Sequence, residues 1–385
     1  IKDKKWNSAL KSASKVKDRE FRNLIDWMYL KTTRNGASFS EYKNFIEQNS
    51  EYPRINRIRF LAEGKIYLRN NSPTSIINWF DKYPPLGGMG KIKLAEAYLE
   101  KGQTEKVQEL IKEGWETATI SKNDLGYYRA KFKKFIDSED HIRRADYLAW
   151  EKKYWDLKRM LKYLPKDQRA LYNARQILMS NSYGVDNAIS KVPEYLKKDP
   201  GLEFDRLRWR NRRGRLEGSL EILYRNSIKT EQQMVRPDKW WEQRESVVRS
   251  LIYKKRYKTA YKISSEHALS AGPSFAEAEW LSGWIALTFL NSPEYAINHF
   301  QNFYNNVGYP ISLARGAYWL GASYEKLNEK QLSNDFYSQA AEFPMTYYGQ
   351  LAFNKINPGG NFELKDESFF DKDYEKEFKK NKLIR

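Results

Sequence analysis

The stretch AEAEWLSGWIALTFLNSPEYAINHFQNFY, residues 276–304, decides the fold class of this 385-residue chain. Its apolar residues recur at steps of three and four, which is the period of an amphipathic α-helix. Asn291 or Ser292, followed by Pro293, divides the stretch into two helices, because short polar side chains cap helix starts and proline fits a first turn. The stretch ISLARGAYWLGASYEKLNEKQLSNDFYSQAAEF, residues 311–343, has the same paired pattern.

The two helix pairs repeat with a period of about 38 residues, which is the interval from Gly283 to Gly321. Ala296 and Phe300, four positions apart, match part of the tetratricopeptide pattern. We expect the two glycines to lie where helices cross closely, because a larger side chain there would force the helices apart.

Less regular helical segments precede these pairs, at residues 94–115, 170–180 and 219–227. Strand-like alternation is nearly absent. We therefore predict an all-α fold, a right-handed α-solenoid superhelix of antiparallel helix pairs that is curved or ring-like. The predicted domain spans residues 1–355, with irregular repeats to about residue 230 and regular tetratricopeptide-like pairs over 236–350. Residues 356–385 are expected to begin a linker region that the chain does not complete.

The chain has a formal net charge of +19 and a pI near 9.5. This charge is compatible with an anionic partner or with basic residues spread over solvated faces, and the even distribution along the chain favours the second interpretation. The densest basic stretch, FDRLRWRNRRGRL at 204–216, directs its arginines to all sides of a helix. No run of about 18 apolar residues is present, so no transmembrane segment is expected. Because the chain begins at Ile1, we expect a mature form or a fragment whose export signal has been removed.

Neither a cofactor site nor a metal site is predicted. The GGMGKI segment resembles a phosphate-binding loop, but Pro85 replaces the first required glycine and Ile92 the required Ser or Thr, so a turn before a helix is expected. Cysteine is absent, and the three histidines, His141, His267 and His299, lie far apart in sequence, which favours structural or surface roles.

Tryptophan is abundant, with 12 residues, and the question is which of them pack in the core. The helical spacing of Trp280, Trp284 and Trp319 is typical of core positions. Adjacent helical residues cannot both face one core fully, so one member of the Trp240–Trp241 pair is expected near a surface. These two residues, with Trp209, Arg208 and Arg212, are the candidate ligand contacts, since flat aromatic faces suit sugars.

Glu245 lies in WWEQRESVV, residues 240–248, and is followed by a serine, as is the catalytic acid of lysozyme-like enzymes. A general acid has to stay protonated near neutral pH, which requires an apolar cleft. Arg244 and Arg249 are close in sequence and favour the ionised carboxylate instead. Glu245 is therefore interpreted as a surface residue.

Several blocks in order resemble the N-terminal superhelical region of the soluble lytic murein transglycosylases. They are residues 138–178 (SEDHIRRADYLAW to RALYNARQIL), 199–214 (DPGLEFDRLRWRNRRG), 236–269 (RPDKWWEQRESVV to ISSEHAL), 275–300, 311–328 and 340–352 (AAEFPMTYYGQLA). In that family a lysozyme-like catalytic domain follows, with its acid in a Glu-Ser pair and a Gly-Leu-Met-Gln-type segment downstream. No such segment follows Glu245, so no catalytic residue is carried over.

The resemblance implies a periplasmic protein whose parent enzyme cleaves the MurNAc–GlcNAc β-1,4 bond and leaves a 1,6-anhydro end. This chain would hold glycan strands of peptidoglycan for its own C-terminal catalytic domain, which the chain lacks. The alternative is a stand-alone tetratricopeptide-like adaptor that binds a protein partner. Nucleic-acid binding is a third hypothesis and is disfavoured, because no base-reading repeat pattern is visible.

Overall fold

The computed structural model describes residues 5–180, 183–227, 230–361 and 372–381. Within these ranges it contains 23 α-helices and three short 3-10 turns, and no strand. The predicted all-α fold is confirmed. None of the helices in the described ranges combines the length and the apolar character that crossing a bilayer requires.

The chain divides into two compact units. The first unit comprises Ile1–Gln176 with Ser368–Arg385, and the second comprises Ile177–Glu367. Helices of the first unit are α1 Trp6–Ala13, α2 Arg19–Leu30, α3 Phe39–Gln48, α4 Ile55–Glu63, α5 Pro73–Lys82, α6 Gly88–Glu100, α7 Val107–Thr117, α8 Lys122–Lys131, α9 Ser138–Trp150, α10 Tyr154–Met160, α11 Lys166–Leu178 (which begins there) and α23 Lys372–Lys380.

The helices of the second unit are α12 Val185–Ser190, α13 Pro200–Arg212, α14 Leu216–Arg225, α15 Glu231–Met234, α16 Pro237–Tyr253, α17 Tyr257–Ser265, α18 Gly272–Phe289, α19 Pro293–Asn305, α20 Pro310–Lys326, α21 Lys330–Ala341 and α22 Tyr347–Ile356. From α16 to α22 each helix packs against the next, and α16, α18, α20 and α22 also pack against one another in sequence. This arrangement of stacked helix pairs is consistent with an α-solenoid; its right-handedness stays a prediction.

Local sequence accounts for many helix starts. Ser38 accepts a hydrogen bond from the Glu41 N–H while the Glu41 carboxylate accepts one from the Ser38 N–H, and Asp137 and Asp140 form the same reciprocal capping box. Such boxes satisfy two N–H groups that a helix start leaves without partners. Proline occupies the first turn of α19, as expected.

The turn inside each helix pair repeats one backbone conformation. The second residue after the leading helix adopts a positive φ, and a hydrogen bond closes the turn, as from the Arg256 N–H to the Leu251 carbonyl at 2.9 Å. Six turns share a φ between 50° and 74°, at Gly102, Lys152, Gly214, Lys255, Asn291 and Asn328. Glycine and asparagine adopt this conformation most easily, so the sequence marks four of the six turns.

Close helix crossings occur at the two glycines that set the repeat. A Cβ atom on Gly283 would lie 2.8 Å from the Phe300 ring, and one on Gly321 would lie 2.8 Å from the Tyr337 ring. Real Cβ contacts are not this short, so each position requires the absence of a side chain. The expectation of close crossings at Gly283 and Gly321 is confirmed.

The GGMGKI segment, residues 87–92, starts helix α6. Helix α6 begins at Gly88, so most of the segment forms the first turn of the helix and not, as predicted, a turn before it. The buried Glu63 carboxylate lies at this helix start and accepts hydrogen bonds from the backbone N–H groups of Gly87, at 3.0 Å, and Leu86. A carboxylate is favoured there by the free N–H groups and the helix dipole. The anion bound by this glycine-rich segment is a side chain of the same chain.

The limits of the superhelical domain stay a prediction. Helix α22 ends at Ile356, one residue beyond the predicted limit of residue 355. The predicted linker region, 356–385, falls partly outside the described residues; within it the structure describes 356–361 and α23.

Candidate functional site

Three of the five predicted ligand contacts are buried in the second unit. Arg208 is 5% exposed, Trp240 1% and Trp241 3%. A guanidinium nitrogen of Arg208 lies 3.0 Å from the Asp205 carboxylate, and the Trp240 Nε1 donates to the Met234 carbonyl at 3.0 Å. Arg208 and Trp240 thus already have partners within the chain. That Arg208, Trp240 and Trp241 contact a ligand stays a prediction, and their burial argues against it.

The expectation that either Trp240 or Trp241 lies near a surface is wrong, because both are buried. Trp240 packs its ring against Phe204 of α13, with centroids 5.6 Å apart, while Trp241 faces His267 at 6.1 Å. Adjacent helical residues point about 100° apart, and α16 has neighbours on more than one side. The two rings therefore enter two different interfaces, whereas the sequence argument assumed a single buried face.

Trp209 and Arg212 lie closer to solvent. Trp209 is half-buried, and its ring centroid is 4.8 Å from the Arg215 guanidinium and 5.5 Å from that of Arg213. Arg212 is exposed, but its guanidinium donates to the Leu178 and Met179 carbonyls at 2.5 and 2.9 Å, at the end of α11. Of the predicted contacts, Trp209 thus stands beside two guanidinium groups, while Arg212 donates to backbone carbonyls.

A cavity of about 300 Å³ adjoins Trp209 through Arg215. Residues around the turn at Gly214 form one wall of the cavity, and α16 forms the other. The polar residues that line it are Asn211, Arg215, Ser219, Ser246, Ser250 and Lys254. Neither Arg215 nor Lys254 forms an ion pair with any described residue. These two cations and the hydroxyl groups of Ser246 and Ser250 at one opening suit a ligand that combines carboxylates with hydroxyl or amide groups.

Glu245 lies in a row of ion pairs on α16 and α18. Its carboxylate accepts two hydrogen bonds from Arg249, at 2.9 and 2.5 Å, and Arg249 also lies 3.9 Å from Glu277. The Glu245 carboxylate therefore lies against a guanidinium of its own helix, whereas a lysozyme-like general acid occupies an apolar cleft. This environment supports the interpretation of Glu245 as a surface residue; that the chain has no catalytic residue stays a prediction.

Two histidines that are distant in sequence meet on one buried carboxylate. His267 Nε2 lies 3.0 Å and His299 Nδ1 lies 2.7 Å from different oxygens of Glu279. The Leu269 N–H donates to His267 Nδ1 at 3.0 Å, and the Tyr261 hydroxyl lies 3.1 Å from His299 Nε2. Each imidazole is thus held between Glu279 at one ring nitrogen and a second partner at the other.

Burial alone raises the pKa of the Glu279 carboxyl, but the hydrogen bonds from His267 and His299 outweigh it and lower this pKa to about 2. The ring nitrogens are occupied by the carboxylate and by partners on the far side. The described part of the chain contains no group of three His, Cys, Asp or Glu residues able to hold a metal ion. His141 likewise accepts a hydrogen bond from Trp115, at 3.2 Å. We interpret the Glu279 network as structural, and no short-range spacing in the sequence signals it.

Neither a protein-family model nor a curated protein matches this chain.

Proposed function

We propose that this chain is the superhelical, non-catalytic part of a peptidoglycan lytic transglycosylase, and that it holds glycan strands for the catalytic domain of the parent protein. The proposal rests on the ordered sequence blocks that resemble this family and on the helical repeat architecture. In the parent enzyme the cleaved bond is the MurNAc–GlcNAc β-1,4 bond, and the compartment is the periplasm.

The observation that carries the strand-holding role is the cavity beside Trp209. Peptidoglycan combines sugar hydroxyls and amides with the carboxylates of its peptide stems. Arg215 and Lys254, which form no ion pair with a described residue, supply positive charge for a carboxylate, and Ser246 and Ser250 add hydroxyl groups to the same cavity. The Trp209 ring, 4.8 Å from the Arg215 guanidinium, restricts where that cation points.

Holding a strand away from the reacting bond helps catalysis by positioning. A strand bound at a second place has fewer orientations to search, so the reacting sugar reaches the catalytic domain at a higher effective concentration. The chain needs no chemistry of its own for this role.

The test is a sedimentation assay of this chain with purified sacculi over a range of salt concentrations. We expect salt-sensitive binding, and a loss of about tenfold or more in the double variant Arg215→Gln/Lys254→Gln, since each charged contact contributes about 1.5–3 kcal/mol. The matched control is Lys326→Gln/Lys330→Gln, which removes the same charge from exposed, unpaired positions of the second unit. Equal binding by both double variants would remove the cavity from the proposal.

The adaptor hypothesis is favoured by one observation, the exposure of large apolar side chains at the starts of α20 and α22. These are Tyr309, Ile311, Met345 and Tyr347. Such side chains suit a protein partner better than a glycan. The reading frame beyond Arg385 discriminates the two functions: a Glu-Ser pair followed by a Gly-Leu-Met-Gln-like segment supports the transglycosylase, and an immediate stop codon supports the adaptor.

A further inference from the structure

A lysine is buried inside the first unit without a hydrogen-bond acceptor among the described residues. Lys93 lies on α6, a helix with buried residues on all sides, and is only 3% exposed. Its ammonium lies 4.3 Å from the Tyr67 ring centroid and 5.3 Å from that of Tyr128. Aromatic faces attract a cation, but they do not accept its three N–H groups as an oxygen does.

The described residues give Lys93 neither a hydrogen bond nor an ion pair. Glu96 is the nearest candidate in sequence, but its carboxylate accepts from the Tyr127 hydroxyl at 2.5 Å and from Lys131 at 3.1 Å. Burial lowers the pKa of Lys93, and Glu96 and Asp124 only partly oppose that effect. A buried ammonium without an oxygen partner is costly, so its retention calls for an acceptor from outside the chain.

A cavity of about 450 Å³ gives such an acceptor access to Lys93. Arg69 lines the same cavity, is exposed, and forms no ion pair with a described residue. Its guanidinium lies 5.0 Å from the Tyr67 ring centroid, so the Tyr67 ring is shared by two cations. Tyr67 and Tyr127 are 37% and 50% exposed and leave aromatic surface at the opening.

We propose that this cavity binds the free carboxylate of a short peptide, held by Lys93 and Arg69. A monoanion fits better than a phosphate dianion, because Glu96 and Asp124 also line the cavity and repel further negative charge. A second cavity, of about 920 Å³, shares Tyr67 and Asp124 and adds the hydroxyl groups of Thr117, Thr119 and Ser121. Those groups provide hydrogen-bond partners for the backbone of a peptide that extends from the carboxylate.

The site stands apart from the proposed function. It lies in the first unit, whereas the Arg215–Lys254 cavity lies in the second, and its ligand is a peptide carboxylate whether or not the chain acts on peptidoglycan. Loss of sacculus binding on changing Arg215 and Lys254 therefore leaves this inference untouched, and the reverse also holds.

The test uses the full chain labelled with ¹³C at the lysine side chains and two probes, N-acetyl-alanyl-alanine and its C-terminal amide. We expect the acid to shift the Lys93 ¹³Cε resonance and to raise the Lys93 pKa, because a carboxylate stabilises the ammonium. The amide is expected to bind about tenfold more weakly or worse, since it lacks the charge. Equal affinity for acid and amide, or an unmoved Lys93 resonance, would overturn the proposal, and so would tighter binding of inorganic phosphate.

Variants test whether the Lys93 ammonium itself, and not the shape of the cavity, is needed for binding. Lys93→Met keeps the aliphatic length and is expected to fold, because an apolar side chain replaces an unpaired buried charge, and to lose acid binding about tenfold or more. Lys101→Met, at the exposed end of the same helix, is the matched control and should bind normally. If Lys93→Met does not fold, Arg69→Gln at the exposed position takes its place, with the same expected loss. Unchanged affinity in the folded variant contradicts the assignment.

Discussion

The Nδ1 atom of His299 lies 2.7 Å from a carboxylate oxygen of Glu279, so a hydrogen bond joins α18 to α19 inside the second unit. The other carboxylate oxygen faces His267, on the segment between α17 and α18. One side chain thus holds three consecutive parts of the repeat together. Because the carboxylate is buried, these contacts are little screened by water or salt.

Replacing Glu279 by Gln is expected to destabilise the protein by about 2–3 kcal/mol. An amide keeps one acceptor oxygen, but its NH₂ group would face an imidazole N–H and leave both donors without a partner. Urea unfolding, followed by tryptophan fluorescence, measures the change in the free energy of unfolding. Glu342→Gln is the control, since Glu342 is exposed and forms no ion pair with a described residue. A difference below about 0.5 kcal/mol between the two variants would show that the network is not stabilising.

The lowered pKa of Glu279 predicts how the stability of the protein depends on pH. The folded-state pKa of Glu279 is about 2, below the ordinary value of 4.5. A lowered carboxyl pKa contributes stability that is fully present above about pH 4.5 and is lost as pH falls through about 2. The free-energy difference between the wild type and Glu279→Gln should therefore shrink over this interval. A difference that stays constant from pH 5 to pH 2 would contradict the assigned ionisation.

Gly283→Ala is expected to cost about 1–3 kcal/mol, because the new methyl group would overlap the Phe300 ring at 2.8 Å. The matched control is Gly126→Ala in α8, where an added Cβ meets nothing within 4 Å. There the same substitution should stabilise by about 0.5–1 kcal/mol, through helix propensity. Thermal or urea unfolding gives the stability change of both variants. If both variants were stabilised, the helix crossing at Gly283 would not be tight.

Lys255→Gly is expected to stabilise the protein by about 0.5–1 kcal/mol. Lys255 holds a φ of 59° in the turn between α16 and α17, a conformation that costs an L-residue with a Cβ atom and not glycine. The reciprocal change, Gly102→Ala at a φ of 74°, should destabilise by about 1 kcal/mol. Chemical denaturation measures the free energy of unfolding of both variants. A loss of stability in Lys255→Gly would mean that contacts of the Lys255 side chain contribute more than the relief of backbone strain.

The sequence predicts the helical repeat well at positions where close packing of two helices requires a small residue. Gly283 and Gly321 leave room for Phe300 and Tyr337, so their spacing reports helix crossings directly. Turns with glycine or asparagine are visible for the same reason. Lys152 and Lys255 adopt an equivalent conformation, but nothing in a lysine indicates it, because the neighbouring helices impose the turn.

The candidate site was harder to predict because burial in a helical repeat depends on neighbours far along the chain. Trp240 and Trp241 enter two interfaces, which a single helical face does not represent. Arg208 was expected to contact a ligand, but it pairs with Asp205 in the interior. The meeting of His267 and His299 on Glu279 depends on the register of three helical segments, and local spacing does not encode that register.

The carboxylate of Glu63 makes the glycine-rich entry to α6 slow to open. Its bonds to the Leu86 and Gly87 N–H groups tie the end of α4 to the start of α6, across more than 20 residues of chain. These two amides can exchange with deuterated solvent only when α4 separates from α6. A segment whose composition suggests the most mobile backbone of the first unit should therefore be among its most protected.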